Sequence, residues 1–119
     1  MAAAILRCDV ATVTGRGAGL NDSGLEKKIS VIESAIEKYD LYNKDTFEIL
    51  MTVGGLDIAG LVGVCIGGAL YHIPVVLDGV ISMVSALAAG RLFPELLILS
   101  FHPMRAGSLP WRFCVRHFP

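Results

Sequence analysis

An α/β fold, with helices flanking a parallel sheet, is what the sequence predicts, on three observations. One is an amphipathic helix of about four turns that follows a glycine-rich loop. The second is a short apolar run, Ile73-Pro74-Val75-Val76-Leu77, closed by Asp78-Gly79. The third is the pair of apolar, glycine- and alanine-bearing helical stretches on either side of that run. Helix, buried strand, polar turn and helix in succession is the grammar of a parallel α/β layer.

The chain is 119 residues long, room for one domain at most. Hydrophobic residues make up 54% and charged ones 18%, where an average domain carries about 25% charged. Such a chain buries apolar surface, which excludes disorder over most of its length. The formal net charge of −1 gives no electrostatic footprint for nucleic acid. Cys8, Cys65 and Cys114 form neither a disulfide framework nor a zinc motif, so the expected compartment is the cytoplasm. No metal-ligand cluster or cofactor motif is found, and no membrane association is expected. The uncharged stretch Ile58 to Leu77 approaches the ~20 residues of a membrane span, which keeps a small membrane-associated protein as one alternative. It is broken, however, by Gly60, Gly63, Gly67, Gly68 and His72-Ile73-Pro74, and a helix followed by a buried strand explains it as well.

The Ala-rich start is helical in character and runs into Asp9-Val10-Ala11-Thr12-Val13-Thr14, a β-leaning stretch. Gly15-Arg16-Gly17-Ala18-Gly19 is a loop. Ser23-Gly24-Leu25-Glu26 has the form of a capping box, with Asp22 adding favourable charge at the helix start. Leu25, Ile29, Ile32, Ile36 and Tyr39 then recur at three- and four-residue steps, which predicts a helix over 22–39. A shorter helix is expected over 46–52, stopping at Gly54-Gly55, then helices over 56–70 and 80–90 with a parallel strand over 73–77 between them.

The glycine loop exposes backbone N–H groups beside a helix start, which suits a phosphate, with Lys27 or Lys28 able to reach back to it. A flexible turn is the alternative reading, since the loop is neither a P-loop nor a full dinucleotide fingerprint. Asp78 stands where open α/β sheets bind ligands, at the carboxyl end of a strand, and could bond ribose hydroxyls. It could equally cap the helix that follows. His72 reads as a loop histidine, and Asp57 falls in the first turn after Gly54-Gly55. These features describe an α/β domain with a phosphate-and-sugar site; a nucleotide- or phosphate-binding module without catalysis fits them too.

Three blocks together resemble a known family: Val13-Thr14-Gly15-Arg16-Gly17-Ala18-Gly19-Leu20-Asn21-Asp22 with Leu25-Glu26-Lys27-Lys28-Ile29, then Val53-Gly54-Gly55-Leu56-Asp57-Ile58-Ala59-Gly60, then Ile73 to Gly79. The family is nicotinate-nucleotide–dimethylbenzimidazole phosphoribosyltransferase, of cobalamin biosynthesis, and the resemblance covers about residues 2 to 95. It implies an incomplete, Rossmann-like parallel sheet and transfer of phosphoribose from nicotinate mononucleotide to 5,6-dimethylbenzimidazole, giving α-ribazole 5′-phosphate and nicotinate. Gly15, Gly17, Ala18 and Lys28 would hold the phosphate; Asp78 and Gly79 would line the ribose or base side. The full-length parent would be a homodimer without a cofactor.

The family's Gly-Asn-Thr-Thr-like phosphate motif would precede Met1 and its catalytic glutamate would follow Pro119, so no catalytic residue is assigned here and the isolated chain is expected to be inactive. Residues 1–100 are then a partial phosphoribosyltransferase domain. Residues 101–119, acid-free and without helical or strand period, are expected to be an irregular, non-homologous tail from a shifted reading frame. In place of the family's Ser-His-x-Ser-x-Glu-like segment stands Ser100-Phe101-His102-Pro103-Met104-Arg105.

Overall fold

A computed structural model describes residues 1–17, 19, 21–95 and 101–103 of the chain. In chain order it holds α1 (Ala2–Leu6), α2 (Val10–Val13), α3 (Asp22–Lys38), a 3₁₀ turn (Leu41–Asn43), α4 (Thr46–Val53), α5 (Leu56–Leu70), β1 (Val75–Leu77), α6 (Gly79–Leu92) and β2 (Phe101–Pro103).

The expected Rossmann-like sheet with flanking helices is not built; the chain is mostly helical. Among the described residues, extended structure is confined to β1 and β2, three residues each, paired in parallel with Val75 opposite Phe101 and Leu77 opposite Pro103. So short a pair offers little face for helices to cover. The apolar helices bury their surface on one another instead. Val62, Cys65 and Ala69 form one buried stripe of α5, and α5 packs on α6. Every residue of α6 from Met83 to Gly90 is buried, the mark of a central helix. Within it Ser85 is fully buried, and its hydroxyl is satisfied by donating to the Ile81 carbonyl at 2.9 Å. Packing then runs from α6 through α4 to α1, and from α1 through α2 to α3.

The β-leaning stretch 9–14 is also corrected. Val10–Val13 is a helical turn in which Thr14 Oγ1 donates to the Val10 carbonyl at 2.7 Å, a local bond that competes with strand pairing. The glycine loop therefore joins two helices rather than a strand and a helix. The helices expected over 22–39, 46–52, 56–70 and 80–90 are present as α3, α4, α5 and α6. The start of α3 differs in its cap. Asn21, not Ser23, holds the N-terminus: its Oδ1 accepts from Gly24 N at 2.9 Å and from Ser23 Oγ at 3.0 Å. The capping box belongs to α4, where Asp45 and Glu48 bond reciprocally.

α3 is an outer helix. Ile36 is its one buried residue, and Ile29 and Ile32 pack partly against the core. The tail expected over 101–119 is described only at Phe101–Pro103, which forms β2; Trp111 and the remainder lie outside the described residues.

Candidate active site

Local forces place Lys28 at the glycine loop. Gly17 adopts φ +64° and Gly19 φ +81°, left-handed conformations that glycine enters without strain. Gly19 N donates to the Gly17 carbonyl at 2.8 Å, tightening the turn. From the second turn of α3, Lys28 reaches back and its Nζ donates to the Gly15 carbonyl at 3.0 Å. The ammonium is thus fixed at the mouth of the loop, beside the helix N-terminus. Both lysines are exposed, and among the described residues it is Lys28, not Lys27, that bonds to the loop. Ala18 lies outside the described residues.

Arg16, in the same loop, pairs with Asp22 on the surface. This ion pair was not read from the sequence; a cation and an acid flanking a glycine loop at a helix start were the signal. It offsets one of the two positive charges at the loop and leaves Lys28 as the cation without an acidic partner among the described residues.

Asp78 sits between β1 and α6 in extended backbone, and its side chain makes no capping bond. The helix-capping role open to it is not used. Its carboxylate is exposed, while its carbonyl accepts from Ser82 Oγ at 2.8 Å. Gly79, at φ +81°, makes the turn from strand into helix, a conformation that disfavours any other residue. Ser82 Oγ lies also within 3.1 Å of the Gly79 carbonyl, so the Asp78-Gly79 corner is pinned from inside α6. Ser82 was missed in the sequence, where a serine in a helix interior carries no signal of its own.

No hydrogen bond or ion pair among the described residues joins the loop to the Asp78 corner. His72 is exposed, at φ +54°, and Asp57 lies exposed in the first turn of α5. Neither is drawn to the loop or to Asp78 by a hydrogen bond. Chemically, the loop offers backbone donors and one ammonium to an anion. The corner offers a carboxylate acceptor to hydroxyl groups. Among the described residues no helix is long and apolar enough to cross a membrane.

A family model described as "Phosphoribosyltransferase" matches residues 1–103, and the chain belongs to that family. Among similar proteins, the nicotinate-nucleotide–dimethylbenzimidazole phosphoribosyltransferase of Clostridium perfringens (strain 13 / Type A) is 35% identical over 113 residues, 95% of this chain and 31% of the relative. The protein of the same name from Chloroflexus aurantiacus (strain ATCC 29366 / DSM 635 / J-10-fl) is 48% identical over 92 residues, 77% of this chain and 26% of the relative. That of Halalkalibacterium halodurans is 45% identical over 112 residues, 92% of this chain and 31% of the relative. The chain thus spans between about a quarter and a third of the length of these curated relatives. No solved structure matches it significantly.

Proposed function

We propose that the whole protein represented by this chain transfers phosphoribose from nicotinate mononucleotide to 5,6-dimethylbenzimidazole, the reaction its relatives are named for. The observation that carries the reading is Lys28, held at the Gly15 carbonyl beside a left-handed glycine turn. Gly15, Gly17, Ala18 and Lys28 take the 5′-phosphate. Backbone amides and one ammonium suit a phosphate dianion, the neighbouring acid Asp22 being paired with Arg16. Asp78 and Gly79 line the ribose or base side, the exposed carboxylate accepting from hydroxyl groups.

In the reaction one benzimidazole nitrogen forms a bond to the anomeric carbon as the bond to nicotinate breaks, with inversion. The leaving group departs with the electron pair of that bond, and the proton of the attacking azole passes to a carboxylate base. The residues assigned here hold and orient phosphoribose. They do not move the proton. Anchoring the phosphate fixes the anomeric carbon against the azole, the kind of positioning that supplies up to ~7–11 kcal/mol of a barrier.

The same reading takes the protein as a cytoplasmic homodimer that needs no cofactor, with residues 1–100 as part of the phosphoribosyltransferase domain. Exposed apolar residues on the outer surface, Leu56 and Val64 on α5 and Val76 on β1, support a covered face in the whole protein. The test is a turnover assay on the full-length protein with nicotinate mononucleotide and 5,6-dimethylbenzimidazole. Formation of α-ribazole 5′-phosphate and nicotinate in equal amounts is expected. Release of nicotinate without the azole product would refute the proposed acceptor.

A further inference from the structure

The chain carries a second concentration of positive charge, away from the glycine loop. A cleft of about 590 Å³ opens where the end of α1, the start of α4 and the end of α6 meet, and Arg7, Lys44 and Arg91 line it. Three cations converge there in a chain whose net charge is −1. The single acid of the lining, Asp45, caps α4, its Oδ1 accepting from Glu48 N at 2.8 Å, so the lining carries three cations to one carboxylate. The ion pair seen among the described residues, between Arg16 and Asp22, involves none of the three cations.

The rest of the lining is apolar or small. Phe47, 57% exposed, presents an aromatic ring at the cleft, and Ile5 and Leu92 close it from α1 and α6. The volume falls within the ~300–1,000 Å³ of small-molecule sites. Cations beside an exposed ring suit a ligand with an anionic group on a flat body, since phosphate takes charge-assisted hydrogen bonds from arginine and lysine and a planar base can lie against an aromatic face.

The cleft is also separate from the proposed phosphoribose site. Asp78 precedes α6, and Arg91 lies in its last turn; the thirteen-residue step from one to the other rises about 20 Å along the helix axis. Lys28 lies on α3, which contributes nothing to the lining.

We propose that this cleft binds a nucleoside monophosphate or a chemically similar aryl phosphate, its phosphate held by Arg7, Lys44 and Arg91 and its ring against Phe47. Isothermal titration of the full-length protein with AMP, adenosine and inorganic phosphate tests it, on the wild type, Arg7→Gln/Arg91→Gln and Lys28→Ala. AMP binds the wild type and still binds Lys28→Ala, in which the phosphate contact of the glycine loop is removed. In the double variant its affinity falls by about tenfold or more, as loss of two charge-assisted contacts requires. Adenosine and phosphate bind more weakly than AMP at every step. Should the double variant lose its circular-dichroism signal, Lys44→Gln, a single change at the cleft rim, takes its place with the same expectation. The proposal is overturned if AMP does not bind, if Lys28→Ala weakens it as much as the cleft variants do, or if the cleft variants leave it unchanged. A failure of the phosphoribosyltransfer reading would show in the turnover assay, and leaves AMP binding at the cleft unaffected.

Discussion

Lys28 Nζ donates to the carbonyl oxygen of Gly15 at 3.0 Å, joining two residues thirteen apart in sequence. The bond fixes where a cation stands relative to a turn of backbone amides, on an exposed surface where its own contribution to stability is small. Lys28→Ala is therefore expected to leave the thermal unfolding of the chain almost unchanged while weakening inorganic phosphate at the loop. Differential scanning calorimetry beside a phosphate titration checks both halves. A large loss of stability with phosphate affinity intact would make Lys28 a structural residue only.

Two glycines of α5 should respond oppositely to the same change. An added methyl at Gly68 would overlap Val75 Cγ2 and sit 3.0 Å from the Ile73 carbonyl. Gly68→Ala is expected to destabilise by about 1–3 kcal/mol, as overpacking does. At Gly63 nothing lies within 4 Å of the new methyl. Gly63→Ala should stabilise by about 0.5–1 kcal/mol through helix propensity. Denaturant unfolding of both variants decides; equal effects would contradict the packing of α5 against β1.

The cap of α3 separates sequence from structure in one experiment. Asn21 accepts from Gly24 N, so Asn21→Ala should cost about 1 kcal/mol, the usual worth of an N-cap. Ser23 donates only to the Asn21 side chain, and Ser23→Ala should cost a few tenths. The reverse order in denaturant unfolding would restore the Ser23–Glu26 capping box read from the sequence.

Alkaline pH should weaken the fold. Burial pushes the Cys65 thiol above its usual range. Burial, then the neighbouring Asp9 charge, does the same for Cys8. When the folded pKa is the higher, the native chain keeps protons that the unfolded chain loses, so stability falls as pH rises. The loss begins near the unfolded thiol pKa of about 8.5 and is absent well below it. The unfolding midpoint should decline between about pH 8 and pH 10, with a shallower slope in Cys65→Ala. An unchanged slope would place the alkaline sensitivity elsewhere.

How much of this was legible in the sequence divides by the range of the forces. The helices α3, α4, α5 and α6 follow from apolar spacing and punctuation by glycine, and their bounds were read within a residue or two. The class of fold was not. Ile73 to Leu77 reads as a buried strand, and one strand suggested a sheet. Yet the small side chains of α6 let helices pack on one another, and among the described residues β1 finds only three residues of partner. That choice depends on which elements meet, which periodicity along one chain does not encode. The site divides likewise. A loop of glycines followed by lysines announces itself locally, and Lys28 does meet Gly15. The cleft of Arg7, Lys44 and Arg91 joins residues from three distant segments, and nothing in their neighbourhoods signals it.

Substrate dependence in the full-length protein, wild type against Lys28→Ala and Asp78→Ala, tests the central claim most directly. If the loop holds the 5′-phosphate, Lys28→Ala raises KM for nicotinate mononucleotide about tenfold or more, as removal of one charge-assisted phosphate contact does. KM for 5,6-dimethylbenzimidazole stays within about twofold, because the azole does not use that contact. Asp78→Ala lowers kcat/KM with α-ribazole 5′-phosphate still the product. Wild-type KM values for both substrates in Lys28→Ala, together with unchanged turnover in Asp78→Ala, would contradict the account.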